Sequence, residues 1–292
     1  MHIPTKKLAN GFEMPVYGLG TWQMGGRNER DTSNDDAADI AAIKNAIDLG
    51  VTHIDTAESY ADGYTETLVG RAIKGYKRES LFLVSKVHAK NLGHDNLLAS
   101  AQASLERLGT NYFDLYLLHR YSLNVPLAET MSALDKLVQQ GLVKNIGISN
   151  FPVEKIQEAQ ALTKNRIVCN QVHLNLKYRE AEKAGVLRYC QENDMMFIAW
   201  RPLQKGFLLN DIPPLLQEIA RKYEKTPAQI AINWLVSKKN VVTLSKTTNP
   251  DHLKENLGAL GWSMDVNDIE RLRIEFPNQE VVSDAVPLNY TN

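Results

Sequence analysis

The sequence lacks the long apolar runs that membrane insertion and secretion need. No stretch is long enough to span a bilayer, and residues 1–15 contain no signal-peptide core. This first segment is interrupted by polar and charged residues, namely Lys6, Lys7, Asn10 and Glu13. We therefore expect a soluble, cytoplasmic protein without a membrane partner.

An excess of charge of one sign is also absent. The chain has 33 Lys and Arg residues against 34 Asp and Glu residues, which gives a formal net charge of -1. A protein drawn to nucleic acid or to an anionic membrane by its general field carries a basic surplus. We therefore expect no nucleic-acid partner, and a monomer or weak oligomer that binds a small molecule.

Cysteine is scarce, with only Cys169 and Cys190 in the chain. The two residues are isolated and have no metal-ligand spacing, so we expect two free thiols and no metal site.

Linkers and low-complexity segments are missing as well. The 292 residues, 43% hydrophobic and 23% charged, are enough to bury a full core. This length suits one α/β barrel or two domains. Because no linker divides the chain, we expect one domain over residues 1–292.

The chain opens with a hairpin signal and then alternates apolar runs with segments of helical period. Asn10 and Gly11 lie between Thr5–Leu8 and Glu13–Val16, which predicts a small hairpin ahead of the main fold. The predicted strands are Val16–Gly20, Val51–Asp55, Leu81–Val87, Phe113–His119, Val143–Ile148, Ile167–Val172, Met196–Trp200 and Val241–Ser245. The predicted helices are a first one capped by Ser33 or Asn34, then Tyr64–Lys74, Asn96–Leu108, Leu127–Gln140, Val153–Leu162, Glu180–Glu192, Leu215–Tyr223, Pro227–Val236 and Asn267–Ile274.

Eight strands that alternate with helices predict parallel pairing and a closed (β/α)8 TIM barrel. A doubly wound open sheet is the alternative. The Gly-x-Gly-x-x-Gly fingerprint of dinucleotide-binding open sheets follows no strand of this chain, which favours the barrel. The C-terminal tail, Pro277–Asn292, has little periodicity, and we expect it to wrap the barrel surface.

Three consecutive predicted strands end in side chains that can do chemistry. Asp55, Lys86 and His119 stand at these ends, and Tyr60 follows Asp55 by five residues. Active sites of such barrels lie at the carboxyl ends of the strands, and adjacent strands are about 4.8 Å apart. We therefore expect the four side chains to converge on one small volume.

Each of these residues also has a structural interpretation. Asp55 can hydrogen-bond its own loop, His119 can be a satisfied structural histidine, and Tyr60 can pack at the rim. Lys86 is harder to explain in this way, because an ammonium at the end of an apolar strand needs a partner. A phenol titrates near pH ~10, so a cation beside Tyr60 would favour its phenolate. Together the four favour function.

Several ordered motifs resemble the aldo-keto reductase family over nearly the whole chain. They are Gly18-Leu19-Gly20-Thr21-Trp22, Asp55-Thr56-Ala57 with Tyr60, Gly147-Ile148-Ser149-Asn150, Asn170-Gln171, Lys246-Thr247 and Glu255-Asn256. The resemblance implies a (β/α)8 enzyme that reduces aldehydes and reactive dicarbonyl compounds with NADPH. It also implies a catalytic tetrad of Asp55, Tyr60, Lys86 and His119, in which Tyr60 donates the proton, Lys86 lowers its pKa and Asp55 holds Lys86.

The resemblance further implies the residues that contact cofactor and substrate. For the nicotinamide end they are Ser149, Asn150 and Gln171 at the carboxamide and Trp200 under the ring. The other implied cofactor residues are Gly20, Thr21, Trp22, Asp55, Arg201, Leu203, Gly206 and Leu208, with Lys246, Thr247, Thr248, His252, Glu255 and Asn256 at the adenosine end. The implied substrate surface is made by Trp22, Tyr60, His88 and His119.

Three positions depart from the family's pattern. His252 stands where many members have an arginine, so we expect NADH to be a possible but weaker cofactor. Arg201 follows the stacking aromatic where serine is common, either to contact the cofactor phosphates or to face solvent. Ser245 replaces the usual proline before Lys246.

Two alternatives to the reductase remain open at this point. One is a regulatory binding module, as in channel-associated members of the family; the hairpin begins close to Met1, which counts against it. The other is a lyase in which Lys86 forms a Schiff base. The short stretch Arg120–Val125 between His119 and the next helix predicts an open pocket that accepts many small aldehydes.

Overall fold

The predicted apolar runs form the strands of a closed parallel barrel in this computed structural model, which describes residues 2–206 and 212–288. The eight barrel strands are β3 (Tyr17–Gly20), β4 (His53–Asp55), β5 (Phe82–Val87), β6 (Leu115–Leu118), β7 (Ile146–Ser149), β8 (Ile167–His173), β9 (Met196–Trp200) and β10 (Val241–Ser245). They pair in chain order, and β10 returns to β3 to close the ring. The (β/α)8 prediction is confirmed.

The helices lie outside the strands and bury one face each. They are α1 (Asp36–Asp48), α2 (Tyr64–Ile73), α3 (His94–Leu108), α4 (Leu127–Gln139), α5 (Val153–Ala161), α6 (Glu180–Lys183), α7 (Val186–Glu192), α8 (Pro214–Lys222), α9 (Pro227–Val236), α10 (Pro250–Leu257) and α11 (Val266–Glu275). In α2, for example, Leu68, Val69 and Ala72 are fully buried against the barrel. Within the described residues, no helix is long and apolar enough to cross a membrane.

The predicted hairpin is present as β1 (Thr5–Lys7) and β2 (Glu13–Pro15), which pair antiparallel. Its Lys6 Nζ donates to the carbonyl of Val236 at 2.7 Å and to that of Val241 at 2.8 Å. Val241 is the first residue of β10, so the hairpin closes the amino-terminal end of the barrel. The carboxyl ends of the strands stay open for a site.

Two local predictions need correction, and one helix was missed. Asp35, and not Ser33 or Asn34, caps α1, because its Oδ1 accepts from the backbone N–H of Ala38 at 2.9 Å. The predicted helix Glu180–Glu192 is two helices, because Gly185 lies between them at φ 75°. Helix α10 was not predicted at all.

The tail packs on the barrel as far as residue 288. The backbone N–H of Arg179 donates to the carbonyl of Glu280 at 2.8 Å, and Glu280 donates back to Lys177 at 2.7 Å. Leu288 is buried. The expected wrapping is thus confirmed for the described part of the tail.

Candidate active site

The carboxyl ends of the strands surround a large cavity of about 1210 Å³. Gly20, Asp55, Ser149, Trp200 and Ser245 each end a different strand and all line it. A pocket for one drug-sized ligand is about 300–1,000 Å³. The cavity therefore has room for a large ligand and a small one together.

A buried ion pair lies at the floor of this cavity. Lys86 Nζ is 2.6 Å from Asp55 Oδ1, and both side chains are almost fully withdrawn from water. The same ammonium donates to the carbonyl of Thr56 at 2.7 Å, and Gln171 Nε2 donates to the second Asp55 oxygen at 2.8 Å. Burial works to lower the pKa of Lys86, but Asp55 and Tyr60 act against it and the net pKa is raised. Lys86 is therefore a stable cation.

Tyr60 stands over this pair at the start of a short turn, Tyr60–Gly63, and follows Asp55, the last residue of β4, by five residues. Lys86 Nζ is 5.2 Å from the centre of its ring, and the Trp22 ring packs edge-on against it at 4.9 Å. Burial raises the pKa of the Tyr60 hydroxyl, and Lys86 works in the opposite direction. The phenol therefore keeps its proton at neutral pH, next to a cation that would stabilise the phenolate.

His119 completes the group from the residue after β6. Its ring centre is 5.7 Å from that of Tyr60, and its Nδ1 is 3.1 Å from Ser59 Oγ. Burial, together with the charge of Lys86, holds the pKa of His119 well below its usual range. The imidazole is therefore neutral. The structure thus brings Asp55, Tyr60, Lys86 and His119 together, as the strand ends predicted.

Beside this group, amide and hydroxyl side chains form a connected polar wall. Ser149 Oγ donates to the carbonyl of Gln171 at 2.8 Å, and Asn150 Nδ2 donates to Ser149 Oγ at 2.8 Å. Asn150 holds a left-handed backbone, φ 61°, which turns its amide back towards the cavity. Its Oδ1 accepts from Trp200 Nε1 at 3.3 Å.

Trp200 is an aromatic platform with a support behind it. The His173 ring stacks on it at 4.2 Å with an interplanar angle of 9°, and Tyr178 stacks on His173 at 4.9 Å. Trp200 lines the cavity while His173 is buried outside it. The indole therefore presents one face to a ligand and is held by aromatic rings on the other.

The end of β10 has both fixed and exposed polar groups. Ser245 is hydrogen-bonded to the Tyr17 hydroxyl, and Asn256 Nδ2 donates to Ser245 Oγ at 3.2 Å and to Tyr17 at 3.3 Å. Ser245 thus ties Asn256 of α10 to the barrel, a role that a proline could not fill. Lys246 next to it is exposed at the cavity edge, and Thr247 Oγ1 is bonded within its own turn to Asn249.

Most residues expected at the cofactor reach the cavity, two do not, and one expected residue cannot be placed. Thr21 is buried behind the wall, where its Oγ1 donates to the carbonyl of Asp55 at 3.0 Å. Thr248 is exposed and lies off the lining. Leu208 lies outside the described residues. The lining includes the other expected cofactor positions, Gly20, Trp22, Asp55, Ser149, Asn150, Gln171, Trp200, Arg201, Leu203, Gly206, Lys246, Thr247, His252, Glu255 and Asn256.

Arg201 lines the cavity and is also paired with the tail, a contact that was not considered from the sequence alone. Its guanidinium lies 5.1 Å from the Trp200 ring, and its Nη1 is 3.4 Å from Asp284 Oδ1 on the tail. That partner is 83 residues away along the chain, and no local pattern could have indicated it.

The substrate side holds expected and unexpected residues. Trp22, Tyr60, His88 and His119 all line the cavity, as expected. The lining also contains residues that the sequence did not single out as contacts, among them Gln23, Asn28, Lys90, Lys205, Leu244 and the tail pair Ala285 and Val286. A tail without periodicity gives no signal for such a contact.

Metal-binding clusters and disulfides play no part in the lining described so far. Within residues 2–206 and 212–288, no group of three or more His, Cys, Asp or Glu side chains could hold a metal ion. Cys169 and Cys190 are buried free thiols, and burial raises the pKa of both.

Comparisons with known proteins agree with this geometry. Residues 17–274 match the model of the Aldo/keto reductase family. The chain is 36% identical over 275 residues to the methylglyoxal reductase YeaE of Escherichia coli (strain K12), covering 93% of this chain and 94% of that protein.

Solved structures give the same picture. A thermostable aldo-keto reductase in complex with the inhibitor epalrestat aligns with a TM-score of 0.89 at 42% identity, over 93% of this chain and 99% of that one. An aldo-keto reductase from Klebsiella pneumoniae in complex with NADPH aligns with a TM-score of 0.84 at 32% identity, over 97% and 98% of the two chains.

Proposed function

The chain belongs to the aldo/keto reductase family, and we propose that it reduces small aldehydes and reactive dicarbonyl compounds to alcohols with NADPH. The observation that carries the proposal is the buried Lys86–Asp55 pair beneath Tyr60, at the floor of a cavity large enough for two ligands. The substrate class is supported by a relative that is a methylglyoxal reductase.

The cavity fits a phosphate-bearing dinucleotide. On the side of β9 and β10 it is lined by three cations, Arg201, Lys205 and Lys246. The open face of Trp200 suits a flat ring, and the amides of Asn150 and Gln171 lie beside it. A related enzyme was solved with NADPH. We infer that Lys246 holds the 2′-phosphate and that Trp200 stacks with the nicotinamide.

The chemistry that bound NADPH supplies is hydride transfer to the carbonyl carbon of the substrate. As the carbonyl oxygen gains negative charge, the Tyr60 hydroxyl gives it a proton. Because the raised pKa of Tyr60 keeps the phenol protonated, the donor is ready at neutral pH. The phenolate left behind is stabilised by Lys86.

The other two residues serve this proton transfer. Asp55 holds Lys86 in place, and Gln171 and the carbonyl of Thr56 complete the bonding of the pair. Neutral His119, whose Nδ1 faces Ser59 Oγ, is suited to donate from Nε2 to the carbonyl oxygen and so to orient it.

The raised pKa of Lys86 argues against a Schiff-base lyase. A lysine attacks a carbonyl only as the free amine. Here the ammonium donates to Asp55 and to Thr56, so the charged form is favoured. Borohydride trapping with a carbonyl substrate in the absence of nicotinamide should therefore label nothing on Lys86.

The proposal is tested by following NADPH oxidation at its absorbance band against methylglyoxal, small aldehydes and ketones. We expect turnover of aldehydes and dicarbonyls. Binding of NADPH without turnover of any compound would instead favour the regulatory binding module.

A further inference from the structure

The tail contacts two parts of the site at once. Ala285 and Val286 line the cavity, whereas Ser283 and Asp284, directly before them, contact residues that support Trp200 and the turn after it. The tail is therefore placed to influence the surroundings of Trp200 as well as the part of the cavity that it lines.

Ser283 fixes the orientation of the His173 ring, which stacks on Trp200. Its Oγ is 2.8 Å from His173 Nδ1, and His173 Nε2 is 3.0 Å from Gln204 Oε1. Because Gln204 Oε1 is an acceptor, Nε2 carries the hydrogen and Nδ1 accepts from the Ser283 hydroxyl. The orientation of His173, and of the indole stacked on it, is thus set from both sides.

Asp284 fixes the turn that follows Trp200. Its Oδ2 accepts from Gln204 Nε2 at 2.9 Å, and its Oδ1 lies 3.4 Å from Arg201 Nη1 and 3.8 Å from His173 Nδ1. Arg201, Gln204 and Lys205 hold left-handed backbones, with φ of 58°, 47° and 56°. Residues with side chains adopt this conformation only where surrounding contacts hold them there.

We propose that Ser283 and Asp284 are positioning residues of the cofactor site, which hold the Trp200 platform and the turn at residues 201–206 in the shape that receives the cofactor. Asp284 acts through Arg201 and Gln204, and Ser283 acts through His173. The inference rests on the proposed use of NADPH. It predicts that a change in the tail weakens cofactor binding, and not only substrate binding.

The test measures NADPH affinity and dissociation rate by fluorescence in Asp284→Ala, with no substrate present. Loss of one hydrogen bond and one partly exposed ion pair predicts an affinity about three- to tenfold lower, with faster dissociation. The matched control is Glu280→Ala, an exposed tail carboxylate whose backbone holds the barrel. This control should bind NADPH as the wild type does.

A second comparison separates positioning from a general loss of structure. Asp284→Ala should have a smaller effect in an Arg201→Ala background, because one of the two partners through which it acts is already gone. Asp284→Glu should recover most of the affinity. If Asp284→Ala does not fold, Asp284→Asn, which loses the charge alone, should still bind NADPH more weakly than the wild type.

The inference would be overturned if the Asp284 variants that fold bind NADPH as tightly as the wild type and differ only in the substrate KM. The tail would then contact only the substrate. The inference would also be overturned if Asp284→Ala lowered the NADPH affinity by the same factor in the wild type and in the Arg201→Ala variant. A wild-type protein that binds no NADPH would overturn the proposed function first, and this inference with it.

Discussion

The two sides of the barrel mouth hold their polar groups in different ways. On the side of β4 and β5, Asp55 and Lys86 are buried and bonded to each other at 2.6 Å before any ligand arrives. On the side of β9 and β10, Lys246 and His252 are exposed at the edge of the cavity. In the proposed function the first arrangement carries out the chemistry, and the second gains its main partners from the cofactor. Substitutions on the first side should therefore change rate and stability, and those on the second should change affinity.

The largest expected effect is that of Tyr60→Phe. Removal of the proposed proton donor should lower kcat by a factor of roughly 10²–10⁴, the usual contribution of general acid catalysis. The phenyl ring can keep its packing against Trp22, so the NADPH dissociation constant should not change. Tyr121→Phe, another tyrosine of the lining, is the matched control and should keep near-native turnover. Near-native turnover in Tyr60→Phe would show that another group donates the proton.

Lys86→Met should also suppress turnover, and it should lower the free energy of unfolding. The change leaves Asp55 as a buried charge without its cation, which typically costs about 3–5 kcal/mol. The double variant Asp55→Asn/Lys86→Met removes that charge and should recover stability but not activity. Chemical denaturation of the three proteins checks this, and a single variant as stable as the wild type would contradict it.

On the ligand-dependent side, Lys246→Ala should weaken NADPH binding about tenfold and NADH binding little. A charge-assisted contact to phosphate is worth about 1.5–3 kcal/mol, and the exposure of Lys246 places the effect at the lower end. Lys254→Ala, an exposed lysine of α10 paired with Asp251, is the control. Equal losses for both cofactors in a titration would show that Lys246 does not bind the 2′-phosphate.

The smallest effects on kinetics should come from exposed residues at the edge of the cavity. Leu123 lines the cavity but is 56% exposed, so Leu123→Ala should change the KM for small aldehydes by less than about threefold. For the wild type we expect KM values toward the ~1 mM end of the usual range and little discrimination among small aldehydes. A bulky substrate with a micromolar KM, and small aldehydes left unreduced, would show that the loop and the tail enclose the pocket.

The same contrast explains how far the sequence alone could lead. Asp55, Lys86 and His119 could be found because a charged or polar group at the end of an apolar strand is a local signal. Helix α10 had a local signal of another kind. Asn249 caps it and Pro250 is its first residue, which is a typical helix start. The break at Gly185 was similarly visible as a glycine inside a helical pattern.

Other features had no local signal. The contact between Arg201 and Asp284 joins residues far apart in the chain, and the stack of His173 on Trp200 depends on the registry of β8 with β9. Ser245 was visible only as an unusual residue until its bond to Asn256 was known. Such pairings arise from the closed barrel, so they follow from the fold and not from spacing.

The pH dependence of both reaction directions in the wild type and in Lys86→Met tests the central claim most directly. In the proposed mechanism, carbonyl reduction needs Tyr60 protonated, and alcohol oxidation by the same site needs it as the phenolate. In the wild type, the oxidation rate should therefore rise with pH towards the pKa of Tyr60, and the reduction rate should fall above it. Loss of the Lys86 charge should raise that pKa, so the rise of the oxidation rate and the fall of the reduction rate should both move to higher pH. If both changes in rate occur at the same pH in the two proteins, the assignment of Tyr60 as a proton donor controlled by Lys86 is contradicted.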